Sequence, residues 1–137
     1  MVAFTRLSTT ILGHAMNRRR FTRLVEKAIA LLPPEFREKM DNVQIIIEDF
    51  PSREVLEQEG LESPYDLFGL YEGTPLTERD SGYFGVLPDR ITIYQKAIED
   101  ACDSEDEVVD EVRITVAHEI AHFFGIDEDR LTELGFD

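Results

Sequence analysis

The sequence is short of several residues on which common kinds of protein depend. It has no tryptophan, a single cysteine (Cys102) and three histidines in 137 residues. One cysteine excludes an internal disulfide and any cysteine-rich zinc site, so no covalent cross-link is available to the fold. We expect Cys102 to be a small buried residue and the chain to suit a reducing compartment, with the cytoplasm as the default.

Positive charge is also scarce. The chain carries 14 Lys and Arg against 29 Asp and Glu, which gives a formal net charge of -15 and a sequence pI ≈ 4.5. A nucleic-acid binder needs a basic face that displaces counterions from phosphates, so the composition argues against that partner. There is also no apolar run of membrane-spanning length. The sequence therefore predicts neither a nucleic-acid nor a membrane partner, and it does not indicate the oligomeric state.

Acidic residues are missing from the first 25 positions. The basic residues of this segment are Arg6, Arg18, Arg19, Arg20 and Arg23. Its stretch LSTTILGHAM is too mixed for the apolar region of a signal peptide. We expect residues 1–15 to be an N-terminal extension that is either disordered or upstream of a native start at Met16. Residues 16–137 are predicted to form a single domain.

Hydrophobic patterning predicts an α+β fold. The stretch FTRLVEKAIALL has apolar residues at helical spacing and stops at a pair of prolines, which predicts a first helix. Three stretches, VQIIIEDF, LFGLYEG and RITIYQ, are typical of short strands. Short helical turns and loops are expected around the second strand, between residues 52 and 88, because prolines and glycines are frequent there.

The best-defined element is a long helix in the last third of the chain. Ser104 and Glu107 form a capping box at its start, and Gly125 suits the left-handed residue that ends a helix. At about 100° per residue an apolar stripe gathers on one face. Its members are Val108, Val109, Val112, Val116, Ile120 and Phe123. We predict that this stripe faces the core.

His118 and His122 lie outside that stripe, one helical turn apart on a neighbouring face. Two imidazoles at this spacing can direct their nitrogen lone pairs at one zinc ion. Glu119 is offset from that point, but it can reach a water there and take its proton. A catalytic zinc site needs a third protein ligand. Because the remaining histidine, His14, lies in the extension, we expect that ligand to be an acid.

Three acids, Asp127, Glu128 and Asp129, follow the histidines closely. One of them can be the third ligand. Equally, they can cap and charge the start of a last short helix, DRLTEL, where acids favour the positive end of the helix dipole. A cap at Asp127 is compatible with a ligand at Glu128. Glu111, which is aligned with the histidines, is expected to be a solvated surface acid.

The stretch HEIAHFFGIDE resembles the extended zincin signature H-E-x-x-H-x-x-G-x-x-(H or acid). From about Arg18 to Phe136 the chain is similar to the small bacterial zincin-like metallopeptidases. The resemblance implies a minimal zincin fold, with a small mixed sheet of about three strands packed on helices. It also implies hydrolysis of peptide bonds in a peptide or protein substrate by a zinc-activated water. No methionine follows Met40, so the methionine turn of the metzincins is missing.

The same resemblance assigns roles to particular residues. The third ligand of the signature stands three positions after the glycine, which is Glu128 here. The implied zinc ligands are therefore His118, His122 and Glu128, and the implied general base is Glu119.

In zincins an edge strand near the metal holds the substrate in extended form, and RITIYQ is the candidate for that strand. Tyr94 is a candidate for polarising the substrate carbonyl. Tyr71, Tyr83 and Arg130 are others, and the sequence does not rank them.

Two alternative functions remain at this stage. So short a chain offers few walls for a substrate cleft, so the first alternative is a zinc-binding regulatory or protein-interaction module without catalytic activity. The second is a metal-free acidic interaction domain. The first alternative would bind zinc without a role for Glu119, and the second would bind no metal.

Overall fold

The computed structural model describes residues 16–73 and 88–136. The predicted extension, residues 1–15, and the candidate Tyr83 lie outside the described residues. Within the two described ranges, no helix combines the length and the apolar character needed to cross a membrane.

The described residues form six α-helices and three strands. In chain order they are α1 (Arg18–Ala30), α2 (Pro34–Lys39), β1 (Val43–Glu48), α3 (Arg53–Glu59), β2 (Gly69–Glu72), β3 (Asp89–Tyr94), α4 (Gln95–Ala101), α5 (Glu105–Phe124) and α6 (Glu128–Glu133). A 3₁₀ turn, Pro64–Asp66, precedes β2. The α+β class and the three predicted strands are confirmed.

The first helix begins at Arg18, earlier than the apolar pattern predicted. The side chain of Asn17 caps it by accepting a 2.9 Å hydrogen bond from the N–H of Arg20. Helix α1 buries Phe21 and Leu24 on the face that packs against α5. A polar cap therefore sets the start of this helix, while its apolar positions set only which side faces the core.

The three strands form one mixed sheet in the order β1-β3-β2. Strand β1 runs parallel to β3, and β2 runs antiparallel to it with Gly69 opposite Ile93. Strand β3 is therefore paired on both sides, so the prediction that RITIYQ is an edge strand is wrong. The physical reason is that the backbone of β3 is already hydrogen-bonded to β1 on one side and to β2 on the other. Both faces of β3 are buried as well, because Thr92 is 5% exposed and its neighbours Ile91 and Ile93 are 0% exposed. The alternation of isoleucine and threonine had indicated a half-buried strand.

Helix α5 lies at the centre of the core. Five of the six predicted stripe residues are buried, namely Val108, Val109, Val112, Val116 and Ile120. The sixth prediction is wrong, because Phe123 is 49% exposed. It lies in the last turn, where its ring stacks on Tyr71 with centroids 4.1 Å apart. Cys102 is buried as predicted, and burial raises the pKa of its thiol to about 12.

Candidate metal centre

Both ends of α5 are fixed by local interactions, and they place the histidines in its last two turns. At the start, Ser104 Oγ accepts a 3.2 Å hydrogen bond from the N–H of Glu107. The Glu107 carboxylate in turn accepts one of 3.0 Å from the N–H of Asp103. At the end, Gly125 has φ 74°, the left-handed conformation that favours glycine. The predicted cap by Ser104 and the stop at Gly125 are confirmed, while the Glu107 carboxylate binds the N–H of Asp103 instead of the Ser104 N–H that a capping box predicts.

After Gly125 the chain folds back toward the helix it has just left. The N–H of Ile126 donates a 2.9 Å hydrogen bond to the carbonyl oxygen of Ala121. Asp127 then caps α6, because its side chain accepts a 2.9 Å hydrogen bond from the N–H of Arg130. Glu128 is the first residue of α6. Asp127 is thus occupied as a cap, and the following carboxylate is carried back toward the histidines.

The side chains of His118, His122 and Glu128 converge. Each offers one ligand atom, and these atoms all lie within 4.8 Å of one another. His118 is partly buried, while the other two side chains are exposed to solvent. Ligand atoms on a tetrahedral zinc ion lie about 3.3 Å apart, so small side-chain rotations bring this set onto one ion. Two imidazoles and a carboxylate are also a donor set that suits zinc.

Glu119 lies beside this cluster, and a residue of the sheet binds its carboxylate. Its Oε1 accepts a 2.9 Å hydrogen bond from the backbone N–H of Tyr71 in β2. The side chain is partly buried, and this burial raises the pKa of Glu119 above its ordinary value. The Tyr71 N–H and the two nearby histidines oppose the rise. A carboxyl group with a raised pKa is a stronger base once ionised, which suits proton transfer.

The C-terminal end of the described chain contacts the first histidine. Nε2 of His118 is hydrogen-bonded to the carbonyl oxygen of Phe136. The Phe136 ring is 1% exposed and meets Phe36 edge-on, with centroids 5.6 Å apart. Because a carbonyl oxygen can only accept, Nε2 is the donor in this contact, which leaves Nδ1 as the ring nitrogen that can bind a metal. Such outer contacts fix the orientation of histidines that bind metals.

From the sequence, Tyr71 was a candidate only for its phenol, which could polarise the substrate carbonyl. In the structure its hydroxyl donates a 2.7 Å hydrogen bond to Asp89 Oδ2, and its ring stacks on Phe123. Its contact with Glu119 is made by the backbone N–H. A side-chain pattern carries no signal for a backbone contact, so this feature of the site could not be predicted from the sequence.

Of two other candidates, one is buried and the other is paired with protein carboxylates. Tyr94 is 3% exposed, and burial followed by the nearby Glu48 raises the pKa of its hydroxyl to about 12. Arg130 forms ion pairs with Glu35 of α2 and with Glu133 of its own helix. These ion pairs tie α6 to α2 and direct the Arg130 guanidinium toward protein carboxylates.

The fold and the convergent His, His, Glu set define a small zincin-like domain. The family model described as zincin-like metallopeptidase matches residues 40–136. The match covers the whole sheet together with α5 and α6, and the chain belongs to this family. No curated protein matches the sequence. The predicted family and the minimal zincin fold are confirmed.

Proposed function

We propose that the chain is a zinc-dependent metallopeptidase in which His118, His122 and Glu128 hold the metal and Glu119 is the general base. One observation carries this proposal. The carboxylate of Glu119 is fixed by a 2.9 Å hydrogen bond beside three side chains whose ligand atoms lie within 4.8 Å of one another. A purely structural zinc site does not require a fixed, partly buried carboxylate that is not itself a ligand.

Zinc, when bound, supplies a Lewis acid that acidifies water and polarises a peptide carbonyl. Glu119 accepts the proton that the attacking water loses, and it can return that proton to the leaving amine. The partial burial of Glu119 supports both steps, because it brings the pKa of the carboxyl closer to neutrality. The exposed His122 and Glu128 leave the cluster accessible to a substrate peptide.

The ligand set is tested by elemental analysis of protein purified without added metal or a histidine tag. We expect about one zinc per chain in the parent and little in His118→Ala or Glu128→Ala, because a structural or catalytic site needs at least three protein ligands. Asp129→Ala is the matched control, since it removes an exposed carboxylate from the same turn of α6. Zinc retained by Glu128→Ala would move the third ligand to another residue.

The catalytic role is tested with a peptide library and zinc-loaded protein. Glu119→Gln should keep the fold and the zinc but cleave peptides about 10²–10⁴ times more slowly, the usual contribution of a general base. Should the zinc-loaded parent cleave no peptide in the library, the remaining function is a zinc-binding module without catalytic activity.

A further inference from the structure

We propose that the backbone N–H of Tyr71 is a positioning group for catalysis, which fixes one oxygen of the Glu119 carboxylate and leaves the second to accept the proton. The inference rests on the proposed function, because it assigns a role to β2 in the same site. It also predicts a metal-independent property of the Tyr71 amide, which can be measured separately.

The register of the sheet directs this N–H at the helix. The N–H of Tyr94 donates a 2.9 Å hydrogen bond to the carbonyl oxygen of Phe68. Hydrogen-bonded and non-hydrogen-bonded pairs alternate along antiparallel strands. Leu70, which is opposite Thr92, therefore directs its backbone groups into β3, and Tyr71 directs its own away from β3. Glu119 Oε1 accepts the hydrogen bond on that outward side.

The position of Tyr71 is fixed by side chains on both sides of β2. Its hydroxyl donates to Asp89 at the start of β3, and its ring stacks on Phe123 one turn after Glu119 in α5. A β-carbon at Gly69 would lie 2.7 Å from Thr115 Cγ2, so the strand approaches the helix as closely as a residue without a side chain allows. The donor is therefore held by contacts that involve the strand and the helix together.

The hydrogen bond from Tyr71 fixes the position of the Glu119 carboxylate more precisely than the flexible side chain alone would. A free glutamate side chain has several rotatable bonds, and ordering it costs conformational entropy. Hydrogen bonds from N–H groups to carboxylates are among the stronger kinds in proteins. A general base must lie within hydrogen-bonding reach of the proton that it accepts, so an unfixed Glu119 would spend less time in the productive position.

The first test compares Tyr71→Pro with Tyr71→Ala in the full, zinc-loaded chain. Both variants lose the ring and the hydroxyl, but only proline also removes the N–H. Proline is tolerated in a strand where the missing N–H faces away from the neighbouring strand, and the preceding residue is already extended. The difference between the two variants therefore isolates the donor and its effect on Glu119.

We expect kcat of Tyr71→Pro to be at least about tenfold below that of Tyr71→Ala, with a smaller change in KM and an equal zinc content. A merely structural role of Tyr71 would lower the unfolding midpoint of both variants without this difference in kcat. Equal kcat values in two folded, zinc-loaded variants would overturn the inference. An inactive parent would instead contradict the proposed function.

The second test needs neither metal nor activity. Hydrogen exchange measured by NMR should show a protected Tyr71 amide in the parent and at least about tenfold faster exchange of that amide in Glu119→Ala, because its acceptor is removed. The Leu70 amide, which faces β3, is the internal control and should keep its protection. A Tyr71 amide that exchanges at the same rate in both proteins would overturn the inference even if Tyr71→Pro does not fold.

Discussion

Gly69 of β2 lies directly against Thr115 of α5. A β-carbon at Gly69 would be 2.7 Å from Thr115 Cγ2 and 3.1 Å from the carbonyl oxygen of Thr92. The first distance is shorter than real contacts allow, so a side chain at this position requires Thr115 or one of the two backbones to shift. The hydrogen bond between Tyr71 and Glu119 spans the same interface.

Gly69→Ala should therefore lower the free energy of unfolding by about 1–3 kcal/mol, the usual cost of overpacking. Thr115→Ser removes the methyl group that the new β-carbon would meet, so the double variant should recover part of the loss. Urea unfolding of the two single variants and the double variant measures this as a coupling energy. Strictly additive effects of the two substitutions would contradict the contact.

The cap at the start of α6 should affect zinc binding as well as stability. Asp127→Ala removes a helix cap worth about 1 kcal/mol and loosens the turn that carries Glu128. We expect the zinc affinity to fall by about tenfold, which is typical of residues that orient a ligand.

Ser52→Ala is the matched control for this prediction. Ser52 caps α3 by accepting a 3.2 Å hydrogen bond from the N–H of Val55. The substitution should therefore lower the stability by a similar amount, at a helix that carries no proposed ligand. Competition with a chromogenic chelator measures both affinities. An equal affinity in the two variants would show that the cap does not support the ligand.

A buried carboxyl group away from the site should make stability depend on pH. Glu99 is 2% exposed, and its Oε1 has no hydrogen-bond partner among the described residues, while Oε2 accepts a 2.7 Å hydrogen bond from Gln95 Nε2. Burial raises the pKa of Glu99 above its ordinary value, and the hydrogen bond from Gln95 opposes this rise. The other charges that act on it are those of Lys96, Asp49 and Arg18.

The folded state therefore holds the Glu99 proton more tightly than the unfolded state, in which the pKa is about 4.3. This stabilisation is present below about pH 4.3 and is lost as the pH rises through the raised pKa of the folded state. Glu99→Gln imitates the protonated acid, so it should be more stable than the parent at neutral pH and similar to it near about pH 4. Chemical unfolding at both pH values checks this, and an equal loss of stability at each would contradict it.

Zinc should stabilise the folded chain through the proposed ligands. At a free zinc concentration about 100 times the dissociation constant, binding adds about 2.7 kcal/mol to the free energy of unfolding. Thermal unfolding with and without zinc should show this shift in the parent and lose it in His122→Ala. Glu111→Gln removes a carboxylate from the same helix outside the convergent set, and it should retain the shift. If zinc still shifts the thermal unfolding of His122→Ala, the stabilising metal binds at another site.

The features that could be predicted from the sequence depend on near neighbours in the chain. Ser104 and Glu107 are close enough to identify the start of α5, and Gly125 identifies its end. A cap at Asp127 was one of the alternatives for the acids that follow the histidines, and the structure shows that cap. The structure also brings Glu128 to the histidines, while its role as a ligand stays a prediction.

The features that could not be predicted depend on contacts between distant residues. Helix α4 begins after Tyr94 without any side-chain cap, so Gln95 was assigned to the preceding strand. The order of the sheet depends on pairing between strands far apart in the chain. The sequence predicted β3 at the edge, whereas in the structure it is the central strand. Tyr71 and Glu119 are 48 residues apart and meet through a backbone atom.

Because of the left-handed turn at Gly125, the proposed metal ligands and the support for Glu119 depend on different parts of the molecule. Because the chain reverses there, all three proposed ligands lie in one short segment, from residue 118 to residue 128. Contacts of such low sequence separation form early in folding. The support for Glu119 forms only once β2 has docked on α5. In the zinc peptidase proposed above, α5 and α6 alone would supply the metal ligands, whereas cleavage of a peptide would also need β2 for the support of Glu119.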